Sequence, residues 1–280
     1  FFFLIKKCKG CITFTLSKLY STMKKILLIV LLSNLICKAQ SNFEISYKFI
    51  DKDNHITNSI LFINNNESVY KIYDDRETGL DESKTKDNTY VTVQNDKISK
   101  IFYSTSKNTI TRIPLYNSEI VYSDLNNKIK YKLTGKQKVI NKYNCQEAKF
   151  DLNGRKYSVW FTSKIEINYG PYKINGLPGL IVELNEETNK IKISLVSIKK
   201  LTDKTEFNSL KKYLTDKKHL SYPDYEKKII SIMTTKKKKS YAEMAELGVS
   251  VKYDESQGAF TKFLIDIPTN LVSELKKIKE

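Results

Sequence analysis

Histidine, cysteine, proline and tryptophan are all scarce in this chain of 280 residues, and each scarcity excludes something. The two histidines, His55 and His219, stand in no H-E-x-x-H pattern, and neither a G-x-S-x-G elbow nor a glycine-rich phosphate loop is present. The common signatures of zinc proteases, serine hydrolases and nucleotide binders are therefore missing. Of the four cysteines only Cys145 lies beyond residue 39, so the rest of the chain has no partner for an intramolecular disulfide and must be held by packing. Cys8 and Cys11 have C-x-x-C spacing, but they precede an export signal and are read as neither a redox nor a metal pair. No apolar run approaches the roughly 20 residues that span a bilayer. The five prolines form no linker, and no repeat is found.

What is present begins with that export signal. From Met23 the chain reads MKKILLIVLLSNLICKA, with Lys24 and Lys25 as the charged start, Ile26 to Ile36 as the apolar stretch and Cys37-Lys38-Ala39 as a small-x-small cleavage site. Acylation of Cys37 is disfavoured because Leu35 and Ile36 stand where small residues are wanted. The expectation is an upstream over-extension over 1–22, a removed signal peptide over 23–39 and one domain over 40–280. The mature chain would carry no transmembrane segment and would reside in the periplasm or cell envelope, or outside the cell.

The formal charge of +17 contains seven lysines from the first 39 residues, leaving 41 basic against 31 acidic residues, or +10. A basic surface attracts phosphates, but Lys236 to Lys239 point to all sides of a helix and have no interleaved aromatics for base stacking. They read as a solvated helix end, and no nucleic-acid partner is expected. Asp74, Asp75, Glu77, Asp81 and Glu82, interrupted by Arg76 and Lys84, do not follow the spacing of a calcium loop. No metal and no cofactor is expected.

Short alternating stretches with turn formers between them fill the chain from Phe43. Phe43, Ile45, Tyr47 and Phe49 share one strand face, Ile60, Phe62 and Ile63 lead into Asn64-Asn65-Asn66, and Val69 to Tyr73 returns. Tyr90 to Val93, Ile98 to Tyr103, Thr109 to Pro114 and Ile120 to Tyr122 continue the pattern. Lys128 to Leu133, Val139 to Tyr143, Cys145 to Leu152 and Lys156 to Phe161 follow, the last two joined by the hairpin dipeptide Asn153-Gly154. Leu180 to Leu184 and Ile191 to Ile198 form another hairpin. Helical spacing appears at Phe207 to Leu214, again from Pro223 through Ile229, Ile230 and Met233, and at Asn270 to Lys279, after a strand pattern at Phe260 to Ile267. These segments predict a mainly β, α+β domain: a curved antiparallel sheet or half-barrel of nine to eleven strands with C-terminal helices.

Two features stand out as candidate sites. In Lys156 to Phe161 alternation puts Tyr157, Val159 and Phe161 on one face and Ser158 and Trp160 on the other, so Trp160 needs a cover. The second is INGLPGLIVEL, Ile174 to Leu184, where Gly170, Pro171, Gly176, Pro178 and Gly179 crowd ten positions. Pro178 followed by Gly179 predicts a type II turn, with Leu177 extended before the proline. The turn carries no nucleophile, acid or metal ligand before Glu183, so it is read as a joint that starts a core strand and lays Leu177 near Trp160. Trp160, Tyr172 and Leu177 are the expected ligand or partner contacts; no residue is assigned as catalytic.

Gly176, Leu177, Pro178, Gly179, Leu180 and Ile181 spell the hexamer of the GLPGLI proteins, and this chain resembles that exported Bacteroidetes family. Tyr143-Asn144-Cys145, Val159-Trp160-Phe161-Thr162 and Gly170-Pro171 are similar to its other recurrent elements. The resemblance implies an exported β-rich protein of undefined function with no catalytic residues to transfer, and an architecture similar to periplasmic lipoprotein carriers. The first functional expectation is therefore a non-enzymatic envelope protein that binds an apolar ligand or an envelope protein. The alternatives are a hydrolase using His219 or Cys145 with carboxylates gathered by folding, and a structural component of an envelope complex.

Overall fold

The computed structural model describes residues 42–51, 54, 56–73, 83–84, 90–91, 100–115, 118–125, 128–188, 191–246 and 270–277. The chain divides into two units, Phe1–Gln40 and Ser41–Glu280, and every described residue lies in the second. The expected export signal, His55, the acidic stretch from Asp74 to Glu82 and the strand expected at Phe260 to Ile267 lie outside the described residues.

Alternation builds two runs of hairpins. The first is β1 (Asn42–Asp51), β2 (Ile56–Asn64), β3 (Glu67–Ile72), β6 (Lys100–Thr105), β7 (Thr109–Leu115) and β8 (Ser118–Asp124), each antiparallel to the one before. Two short strands, β4 (Ser83–Lys84) and β5 (Tyr90–Val91), pair with each other between β3 and β6. The second run is β9 (Lys132–Ile140), β10 (Tyr143–Leu152), β11 (Arg155–Thr162), β12 (Leu180–Glu186) and β13 (Ile191–Lys200). After β8 the chain crosses to the far edge and walks back, so that β13 lies antiparallel against β1, with Phe43 opposite Lys200 and Asp51 opposite Ile191. A final two-residue strand, β14 (Leu220–Ser221), joins β8 in parallel and completes a sheet of 12 strands.

The sheet is covered on both faces. On one face Tyr47, Phe49, Tyr70, Phe102, Tyr157, Val159 and Leu184 form the largest core, roofed by the long connection between β11 and β12. The same face continues over β7 and β8, where helix α2 (Tyr222–Glu246) brings Tyr225, Ile229 and Met233 onto Ile113, Ile120 and Tyr122. Short helix α3 (Leu271–Lys276) adds Leu271 to that cluster. On the opposite face helix α1 (Thr205–Thr215) buries Phe207 and Leu214 against Phe62, Val69, Ile101, Tyr103, Ile110 and Val121. Each fully buried aromatic of this kind contributes about 1.5–3 kcal/mol.

Local sequence explains the starts of the helices. Ser221 caps α2: its hydroxyl accepts from the Asp224 N–H at 3.2 Å and donates to the Asp224 carboxylate at 2.6 Å, with Pro223 inside the first turn. Asp203 accepts the Thr205 N–H at 2.8 Å ahead of α1.

The mainly β architecture with helices after the strands is the one the patterning predicts. Three details differ. Lys128 to Tyr131 is irregular, and β9 begins at Lys132 and runs through Gly135, which at φ +77° lies with Thr134 and Lys136 in the register shift opposite Glu147. The turn falls at Asn141 and Lys142, both at positive φ, the pair that a type I′ hairpin requires. The four lysines from 236 are mid-helix, and Lys237 is buried with its ammonium 5.3 Å from the Tyr241 ring centre, so this run is not a solvated end.

Candidate functional site

The INGLPGLIVEL stretch is built into the core. The segment from Ile165 to Leu177 folds back across the sheet, burying Ile167, Tyr172, Ile174 and Leu177. Tyr172 sits at φ +57° with its ring 5.2 to 6.1 Å from those of Phe102, Tyr70 and Phe49. Tyr172 and Leu177, expected as contacts for a ligand or partner, are thus core residues of this roof.

The type II turn at Pro178 is also corrected. The Gly179 N–H donates to the Leu177 carbonyl at 2.9 Å, a three-residue turn around the proline, and the Leu180 N–H donates instead to Ile165 at 3.0 Å. What demands glycine at 179 is space. A Cβ there would stand 2.7 Å from the Thr162 carbonyl carbon and closer still to its oxygen.

Beside this roof lies a buried charge that the sequence did not announce. Lys173 is 1% exposed and its ammonium lies 3.2 Å from the Asp124 carboxylate at the end of β8. The rings of Tyr222 and Tyr122 flank it, with centres 5.2 and 5.9 Å away. This pair ties the roof to β8 and to the start of α2.

Trp160 is on the other face, as alternation requires, half-buried and directly between Glu147 on β10 and Glu183 on β12. It packs against the largest core, the cluster that includes Leu177, and the Lys138 ammonium from edge strand β9 lies over the ring, 4.2 Å from its centre. Lys138 is 39% exposed and also lies 3.4 Å from the Glu183 carboxylate. The other Glu183 oxygen accepts from the Asn185 side chain at 2.6 Å. Glu147, almost fully buried, accepts from the Thr134 hydroxyl at 2.7 Å, with Lys136 at 3.7 Å. Two carboxylates, an amide and a cation thus surround one indole. Bulges at Gln146/Ala148 and at Trp160/Phe161 bend the strands here, and the Asn141 amide donates to the Leu195 carbonyl at 3.2 Å, pinning the β9–β10 tip onto β13.

Cys145 and His219, the alternatives expected to serve a hydrolase with carboxylates, each have a backbone partner. Cys145 is buried opposite Lys138 in the β9–β10 pairing, with its thiol donating to the Tyr143 carbonyl at 3.4 Å. Burial pushes that thiol's pKa up, against the lowering influence of a backbone hydrogen bond at Ile140 and of Lys138, so it is kept as a thiol and not a thiolate. A ring nitrogen of His219 donates to the Leu214 carbonyl at 2.7 Å, closing the turn after α1. Among the described residues no group of three or more His, Cys, Asp or Glu side chains is placed to hold a metal ion. No helix among them is long and apolar enough to cross a membrane.

A second charged constellation fastens α1. Glu119 on β8 receives Arg112 at 2.6 Å, Lys217 at 2.9 Å and the Tyr213 hydroxyl. Glu67 likewise holds Lys211 at 2.6 Å and the Tyr103 hydroxyl at 2.8 Å. Burial alone would raise the Glu119 pKa, but these donors and the Arg112 charge hold it at about 2, below its ordinary 4.5. A depressed carboxylate stabilises the fold above its ordinary value and loses that contribution as pH falls through the folded one. Unfolding free energies from urea titrations between pH 5 and pH 2 should therefore fall further for the native chain than for Glu119→Gln, by about 1 kcal/mol after solvent screening.

Comparison with known proteins places these elements in a wider context. Residues 44–224 match the family described as N-glycanase peptide, N-terminal domain. Among solved structures, PNGF-II in a C2 crystal form is 18% identical, with a TM-score of 0.46, over 65% of this chain and 31% of that one. In its P21 form the values are 16%, 0.47, 68% and 33%. An uncharacterized conserved protein from Thermus thermophilus is 10% identical, with a TM-score of 0.36, over 68% of this chain and 96% of that one. The chain thus spans about a third of the length of the PNGF-II chains it resembles. No curated protein matches it. The matched family also corrects the GLPGLI resemblance: Gly176 to Ile181 lie inside the matched span and serve as a packed joint. Six residues dictated by one tight backbone path are a weak marker of descent.

Proposed function

The chain belongs to the N-glycanase N-terminal domain family, and from that membership we propose that it serves the hydrolysis of N-linked glycans. The match over residues 44–224, which takes in every strand of the large sheet, carries this reading. It favours a glycosidase-related, hydrolytic role over carriage of an apolar ligand. The fate of the expected apolar contacts supports the same choice, because Tyr172 and Leu177 are spent on the core. Within the described residues Cys145 and His219 have structural surroundings, whereas Glu147 and Glu183 are carboxylates on one sheet face suited to polar substrates. Export through the segment from Met23 to Ala39 fits action on glycoproteins outside the cytoplasm.

The test uses the whole chain and a denatured N-glycosylated protein. Mass spectrometry should detect released glycan, or else a glycoprotein column should retain the chain in a way that free oligosaccharide reverses. A chain that neither releases glycan nor is retained overturns the proposal.

A further inference from the structure

We infer that the Trp160 ring is a stacking platform for one neutral pyranose residue, and that Lys138 occupies the ligand's place when the site is empty. The inference rests on the glycan-directed reading above and names the site it would use. A part-exposed indole offers a surface to the C–H face of a sugar, while the groups beside it must satisfy hydroxyls. Here the accessible rim is Glu183 with Asn185, while Glu147 on the other side is almost fully buried and held by Thr134. Carboxylates accept hydroxyl protons and repel phosphate, sulfate and the head of a fatty acid, so a neutral sugar suits the site and anionic ligands do not.

The position of Lys138 fits a displaceable lid. Its ammonium covers the ring at 4.2 Å, yet its side chain is 39% exposed and its ion pair with Glu183, at 3.4 Å, is long. Exposed cation–π contacts and exposed ion pairs are both weak. Lys138 can swing into solvent while the Glu183 carboxylate turns to the ligand. Irregularities in β10 and β11 fall beside the indole, at Gln146/Ala148 and at Trp160/Phe161, where a bulge re-aims side chains.

Trp160 is the only tryptophan in the chain, so its fluorescence reports on this site alone. Titration of the full chain with N,N′-diacetylchitobiose should shift the emission and saturate. Calorimetry with Lys138→Ala should show roughly two- to five-fold tighter binding, the gain from removing a weak competing occupant. Trp160→Ala should weaken binding tenfold or more, with an unchanged circular dichroism spectrum confirming the fold. Three results overturn the inference: no emission change with chitobiose or mannobiose, a response to a lysine peptide but to neither sugar, or tight binding that survives in Trp160→Ala. If the native chain still releases glycan or is retained on glycoprotein while these tests fail, the site is wrong and the family-based function stands. If both fail, the function itself falls.

Discussion

Gly179→Val is expected to lower the thermal midpoint by roughly 6–12 °C, corresponding to about 3 kcal/mol in a domain of this size. The cause is a collision, not conformational preference alone. The added Cβ would meet the Thr162 carbonyl group and the Ser163 Cα, the latter at 3.0 Å, and these are backbone atoms at the end of β11 that cannot rotate away. Relief requires either strand β11 or the start of β12 to move, and both are locked into the largest core through Phe161, Leu180 and Ile181. Because the clash begins at Cβ, Gly179→Ala should already show most of the loss. Calorimetry of the two variants checks this, and an unchanged midpoint in both would show that the approach of β12 to β11 is looser than described. Gly170 is less tightly enclosed by backbone: a Cβ there meets the Ile181 side chain first, and the Ile174 carbonyl oxygen at 3.0 Å.

Asp124→Ala is expected to destabilise the chain by about 3 kcal/mol, near the lower end of the range for breaking a buried ion pair. The Lys173 ammonium would keep its aromatic neighbours but lose its carboxylate while remaining almost sealed from water. Lys173→Met should cost less, about 1.5 kcal/mol or under, since it removes the buried charge and returns a similar apolar volume. Urea unfolding of the two variants gives the order. If Lys173→Met proves the worse, the lysine's methylene stem and not the ion pair holds the roof to β8.

How far the sequence could be read depends on which force decided each element. Strands with one buried face announced themselves: Phe43, Ile45, Tyr47 and Phe49 alternate because a single side of β1 meets the core. Asn153-Gly154 named its own turn because both positions need positive φ, found at 51° and 71°. The Asn141-Lys142 turn was hidden, since lysine is not a residue that advertises such a conformation. Side choice was legible and partnership was not. Alternation put Trp160 on the face away from Val159, but only the fold could show that β9 curls over to lay Lys138 on the indole. Glu147 and Glu183 are far apart in the chain and meet through Trp160 by strand order alone. Lys173, between a tyrosine and an isoleucine, carries no local mark of burial.

The seam between β1 and β13 sets the order in which the chain can assemble. Every other neighbouring pair in the two runs joins strands that follow one another closely or across a single loop, so each run can zip from its own turns. The seam instead unites Phe43 with Lys200, residues near opposite ends of the described strands, and must wait until both runs exist. Closing so long a loop costs entropy before any pairing offsets it, which makes such contacts slow to form. Until that moment β1 and β13 are both bare edges, rich in isoleucine and ready to pair with another molecule. The step that completes the sheet is therefore also the step at which a crowded, newly made chain is most exposed to aggregation.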